Sequence, residues 1–247
     1  VRLADPVSTP TTAQGPMTFR ILVRTVGELL FTAGVLVGLF VVWLLGWQAH
    51  VQSAEQADAV SGLERSFDPP TRAATPASRA PTALPEPKPG EAFAVLRIPR
   101  LGADWAKPVR EGVGADVLAQ GMGRYPGTAM PGAVGNVGIA GHRSGHGNPL
   151  LDIDLIRPGD VLVIETRSAY NVYRAVRHEI VAPDRSDVVA PVPQRPGVKP
   201  TERWFTLTTC SPRWGNAARY IVFSRLETAI PRSQGLPVAY LAAPKES

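Results

Sequence analysis

Residues 203–226 read RWFTLTTCSPRWGNAARYIVFSRL. RWFTLTTC (203–210) and RYIVFSRL (219–226) are rich in β-branched and aromatic residues, the composition of strands, and the SPRWGNAA between them carries the Pro, Gly and Asn of a turn. The stretch predicts two strands joined across a turn. If they pair antiparallel, Cys210 at the close of the first strand and Arg219 at the opening of the second emerge at the same end of the sheet. Cys210 is the single cysteine of the chain.

Working outward, the same short apolar or alternating runs recur from residue 91 onward. AFAVLRIP (92–99), VGNVGIAGH (134–142), DVLVIET (160–166) and NVYRAVRHEIV (171–181) read as further strands, punctuated by Gly and Pro. Helical pieces are short and expected only near 114–119, 148–155 and 184–190. With no regular alternation of strand and long helix, the region argues for a mainly β barrel or sandwich rather than a parallel α/β sheet.

The N-terminal third is different. Leu29–Trp47 reads LLFTAGVLVGLFVVWLLGW without a charge, and at 1.5 Å per residue its length matches the roughly 30 Å hydrocarbon core of a bilayer. The run exceeds the apolar region of a signal peptide, and Trp43 and Trp47 sit where interfacial aromatics belong. Arg20 and Arg24 precede it, and after it no Lys or Arg appears until Arg65. The positive-inside tendency therefore predicts a cytoplasmic N-terminus and an extracellular C-terminal domain. Met17 stands just ahead of TFRILVR, so residues 1–16 read as an upstream extension. Residues 48–67 have the Ala, Gln and Glu content of a continuing helix, and DPPTRAATPASRAPTALPEPKPGE from Asp68 reads as a polyproline stalk. The expected organisation is a cytoplasmic segment (1–20), a transmembrane anchor (21–49), a juxtamembrane segment and Pro-rich linker (50–90), a catalytic domain (91–230) and a tail (231–247).

A net charge of +5 comes without the interleaved aromatic and basic residues or zinc spacing of a nucleic-acid binder, so no nucleic-acid partner is expected; membrane lipid is. One cysteine cannot close an internal disulfide, leaving a structural thiol or a reactive one. An ordinary thiol is only a few per cent thiolate at neutral pH, so a catalytic cysteine requires an imidazole or a cation nearby. Of the four histidines, His50 adjoins the apolar run, His178 falls within an alternating strand, and His146 lies in the Gly-rich GHGN. His142 ends VGNVGIAGHR, where a buried strand surfaces at His142 and Arg143, a place where an imidazole is both fixed and reachable. Arg219 has the donors to stabilise an oxygen that gains charge when an amide is attacked, a contribution of about 3–4 kcal/mol per donor. Each residue alone has a plain structural reading: Cys210 a small core hydrophobe, Arg219 a solvated strand-end charge. Together they argue for thiol chemistry.

Three features in combination resemble the sortases: TLxTC at 206–210, the AGHR strand end at 140–143, and an arginine opening the next strand. The nine-residue interval from Cys210 to Arg219, RYPGTAMPG at 124–132 and TLTTCSPRW at 206–214 are most similar to class E sortases of high-GC Gram-positive bacteria. The resemblance implies an eight-stranded sortase-type β-barrel with short helices and a cysteine transpeptidase needing no cofactor. It implies Cys210 as nucleophile on the Thr–Gly bond of an LAXTG- or LPXTG-like sorting signal and His142 as its imidazole partner. Arg219 would hold the substrate or the oxyanion. Thr209 is implicated in substrate contact or strand support, and Tyr125 in shaping the substrate pocket. Implied partners are secreted proteins bearing the signal and an amine from a lipid-linked peptidoglycan precursor or a pilin. His146 and Ser211 depart from the family pattern, and His146 reads as a loop residue. There is no acidic cluster like the calcium loops of class A relatives, so no metal is expected. The alternatives are an extracellular thiol peptidase of the wall and a non-catalytic anchored β-domain.

Overall fold

A computed structural model describes residues 15–67 and 85–242. The stalk expected from Asp68 lies outside the described residues as far as 84, as does the upstream extension before residue 15. The chain divides into two units, residues 1–47 and 48–247. A 53-residue helix, α1 (Gly15–Phe67), contributes to both. Its portion Phe19–Trp43 has a mean hydropathy of 2.1 and is wholly unburied, long and apolar enough to cross a membrane by length and composition. This candidate span overlaps most of the expected anchor at 21–49.

In the second unit, the end of α1 packs on the barrel. Gln56, Val60 and Phe67 are its buried positions, spaced so as to share one helix face. Val60 and Phe67 meet Val95 of β1 (Ala92–Arg97). Arg97 on the same strand pairs with Glu64 of the helix and with Glu165. Residues 48–67, expected as part of a juxtamembrane connection, are therefore a packed element of the folded unit.

The remaining strands are β2 (Ala106–Glu111), β3 (Met122–Arg124), β4 (Gly135–Ala140), β5 (Val161–Thr166), β6 (Ala169–Val181), β7 (Arg203–Ser211) and β8 (Ala218–Pro231). They close a barrel in the order β1-β2-β3-β4-β7-β8-β6-β5. The mainly β expectation holds, as do the short helical pieces: α2 (Ala115–Leu118) and 3₁₀ turns at Ile153–Leu155 and Ser186–Val189. Strands β2 and β3 are the two that the sequence pattern hides. β2 carries Lys107, Pro108, Arg110 and Glu111, and β3 is three residues long with a central Gly123. Pro108 is tolerated because its register partner is Val95 of β1, while the pairing to β3 begins only at Val109. Next to it, Arg124 is fully buried and held by Glu111 at 2.6 Å and Glu86 at 2.9 Å. Its charge is compensated within the protein, as a buried guanidinium requires.

The interior is filled by alternate residues of each strand, among them Leu96, Val109, Met122, Ile139, Leu162, Phe205, Leu207, Tyr220 and Val222. Each such side chain contributes about 1.5–3 kcal/mol by leaving water. This alternation also decides which residues of β7 and β8 remain for the outer face.

Candidate active site

Phe205 and Leu207 point into the core, so Thr206, Thr208 and Cys210 stand on the opposite face of β7. Cys210 pairs in register with Arg219 of β8, which realises the antiparallel hairpin expected from the sequence. On its other side β7 runs parallel to β4, with Ala140 opposite Thr208. Two residues beyond that pair, along the respective strands, come His142 and Cys210. Sulfur, imidazole and guanidinium thus arise from three adjacent strands at one end of the barrel.

The strand ends are pinned where chemistry needs them still. Gly141 N–H donates to the Thr208 carbonyl at 3.1 Å, and Thr209 Oγ1 donates to the Gly141 carbonyl at 2.7 Å. Thr209 is buried and directed to the side of β7 away from Cys210, opposite Tyr220. Of its two expected roles, this geometry fits strand support rather than substrate contact. Arg143 also differs from expectation: it does not surface, but lies buried, 2.8 Å from Asp154 and over the Tyr220 ring at 5.5 Å. The backbone turns after His142, so the two neighbours part.

Cys210 is half-buried. The guanidinium of Arg219 is anchored by Nη1, which donates to the carbonyls of Asn216 and Ala218 at 2.9 Å each. His142 has a buried Nε2 with no hydrogen-bond partner among the described residues, and its ring stacks on His146 with centroids 4.6 Å apart and planes at 28°. Burial, and after it the charge of His146, hold the His142 imidazole below the ordinary histidine value. Each cause disfavours the protonated ring.

Back along β7 from Cys210 the outer face is covered: Thr208 and Thr206 are both buried. Tyr125, directly after β3, hydrogen-bonds through its hydroxyl to Thr208 Oγ1 at 3.0 Å, and its N–H donates to the Gly138 carbonyl at 2.9 Å. A Cβ on Gly138 would come within 2.9 Å of Val189 and 3.1 Å of the Tyr125 ring, so glycine is what lets the ring lie against β4. Thr206 donates to Asn136 Oδ1 at 2.9 Å on the same face. The sequence pattern singled out Tyr125 but missed Thr208, although a step of two back from Cys210 along a strand identifies the residue that shares its face. His146, read from the sequence as a loop residue in preference to a second titrating group beside His142, proves to stack on it; a loop residue four positions away has no fixed direction until the loop is folded.

A family model described as the sortase domain matches residues 96–227. The chain belongs to the sortase family. Sortase SrtE1 of Streptomyces coelicolor is 37% identical over 227 residues, 89% of this chain and 61% of that protein, so this sortase spans about three fifths of that relative's length. Among solved structures, the SrtA sortase from Actinomyces oris aligns with a TM-score of 0.61 at 37% identity, covering 65% of this chain and 93% of that one. Sortase E1 from Streptomyces coelicolor, with a tripeptide in its active site, aligns with a TM-score of 0.56 at 39% identity, covering 61% and 97%. The closed eight-stranded barrel is the sortase fold.

Proposed function

We propose that this sortase is a membrane-anchored cysteine transpeptidase acting on a C-terminal sorting signal of the LAXTG or LPXTG kind. The observation that carries the reading is the register pair Cys210–Arg219, with His142 two residues beyond the Ala140–Thr208 pair of the neighbouring β4. The tripeptide held in the active site of the Streptomyces coelicolor relative supports a peptide substrate.

In the proposed reaction, the Cys210 thiolate attacks the Thr–Gly carbonyl and forms a C–S bond. The oxyanion that develops is stabilised by the N–H donors of Arg219 that the turn carbonyls do not occupy. His142, protonated, gives its proton to the glycine nitrogen as the C–N bond breaks, leaving a thioester on Cys210. An incoming amine, from a lipid-linked peptidoglycan precursor or a pilin, loses a proton to His142 and attacks the thioester. A new amide forms and the thiolate departs. Burial and His146 reduce the fraction of His142 that carries a proton and make the proton it does carry easier to give to the leaving amine. Tyr125 and Thr208 would line the signal-binding wall, with Thr209 supporting the strand beneath the nucleophile. The helix portion Phe19–Trp43 would anchor the enzyme with its N-terminus in the cytoplasm and the barrel outside.

The test incubates the full chain in detergent with a fluorogenic LAXTG peptide and a small amine. Wild type is expected to release the leaving peptide and to form the amine adduct, and Cys210→Ala to do neither. Equal release by the two proteins would overturn the reading. Protease added to intact cells is expected to degrade the barrel and spare the N-terminal segment; a protected barrel would overturn the orientation.

A further inference from the structure

Helix α1 touches the active-site loop through one buried side chain. Gln56 is 2% exposed, and its Nε2 donates to the backbone carbonyl of His146 at 3.0 Å. The approach leaves little room for a side chain at the next position. A Cβ on Gly147 would lie 3.2 Å from both Gln56 Nε2 and Ser53 Oγ, and Gly147 has a φ of +76°. His146 itself is held at a φ of +50°, a conformation uncommon for a side-chain-bearing residue. Its ring lies on that of His142 at 4.6 Å. A continuous path therefore runs from the helix amide to the His146 backbone, through the His146 ring, to the His142 ring.

We propose that Gln56 and His146 are positioning residues for His142: the docked end of α1 clamps the 144–148 loop so that the His146 ring covers the catalytic imidazole of His142. The inference deepens the transpeptidase reading and rests on it for the word catalytic. Two stacked imidazoles resist carrying two protons, and the cover also withdraws His142 from water. The other ionisable groups around the site are otherwise engaged or differently placed. Arg143 is committed to Asp154, and Arg213 to Asp152 and Asp154. Arg219 is tied to the turn, and Cys210 faces outward from β7. His146 alone is in ring contact with His142 among the described residues. The consequence is that His142 has its working proton affinity only when the helix is seated on the barrel.

The experiment is an NMR titration of histidine ring signals in the full chain in detergent, with His142 assigned by the signal lost in His142→Gln. His146→Asn keeps a residue that tolerates positive φ but removes the ring and charge, and the His142 midpoint is expected to move up. Gln56→Leu keeps the buried volume and removes the donor. It is expected to move the His142 midpoint in the same direction, and by much less when introduced into the His146→Asn background. Gly147→Ala, which pushes loop and helix apart from the other side, is expected to act as Gln56→Leu does and serves where that variant folds poorly. A His142 midpoint unchanged by both Gln56→Leu and Gly147→Ala would overturn the proposal. So would a Gln56→Leu shift that stays undiminished in the His146→Asn background. The titration reads no turnover, so failure of the transpeptidase reading in the peptide assay leaves this outcome separately legible.

Discussion

The two faces of the β7–β8 hairpin are made by the same strands and do opposite work. On the inner face Phe205, Leu207, Tyr220 and Val222 belong to the barrel core. On the outer face Thr206 and Thr208 are buried against polar partners, Ile221 and Phe223 pack with Val188, and only the strand-end Cys210 and Arg219 stay partly exposed. The inner face is apolar packing throughout, whereas the outer face ends in two groups, Cys210 and Arg219, that stay reachable. Stability and chemistry are thus separated by a single residue step along the chain, and substitutions on the two faces should be separable by experiment.

The largest expected effect belongs to the outer face. If Cys210 is the nucleophile proposed above, Cys210→Ala should lower turnover of the LAXTG peptide by about 10⁴-fold or more, with the thermal midpoint almost unmoved. Joint loss of stability and activity would erase the distinction between the faces. On the inner face, Phe205→Ala should cost about 3–5 kcal/mol of unfolding free energy in a denaturant titration, through lost transfer energy and the cavity left behind. The residual folded fraction should retain near-normal kcat. Arg219→Ala should cost about 3–4 kcal/mol of transition-state stabilisation, seen mainly in kcat rather than in the melting curve. Smaller still, Tyr125→Phe removes the hydroxyl that bonds Thr208, and about 1 kcal/mol should appear as a rise in KM for the peptide.

The smallest effect concerns pH. Because the folded protein holds His142 below the ordinary histidine value, the unfolded chain binds that proton more readily. His142 therefore favours the folded state least when protonated. Stability should be full above the ordinary imidazole range, about pH 6.5, and decline as pH falls through it and on through the lower folded-state value. Melting curves of His142→Gln should show a shallower decline over that window than wild type, and a parallel decline would refute the assignment.

How much of this was legible beforehand follows from which interactions are local. Alternation and turn chemistry act over a few residues, so the β7–β8 hairpin, the pairing of Cys210 with Arg219 and the apolar helix could be read directly. β2 could not, because Lys107, Pro108 and Arg110 obscure its strand pattern and only neighbours on either side make it a strand. Thr209 illustrates the same limit: adjacency to Cys210 in sequence placed it near the nucleophile, while the pleat turned it to the opposite face.

The sequence by itself determined the β character of the C-terminal domain, the membrane-length apolar run and the three residue types able to do thiol chemistry, because each depends on composition and on periods of two or four residues. Only the tertiary structure decided that β4 lies beside β7, that Arg143 turns inward while His142 stays at the rim, and that Gln56 reaches a loop 90 residues away. Those outcomes depend on barrel closure and the burial of one helix face, where the free energy comes from surfaces that meet only after the chain has folded.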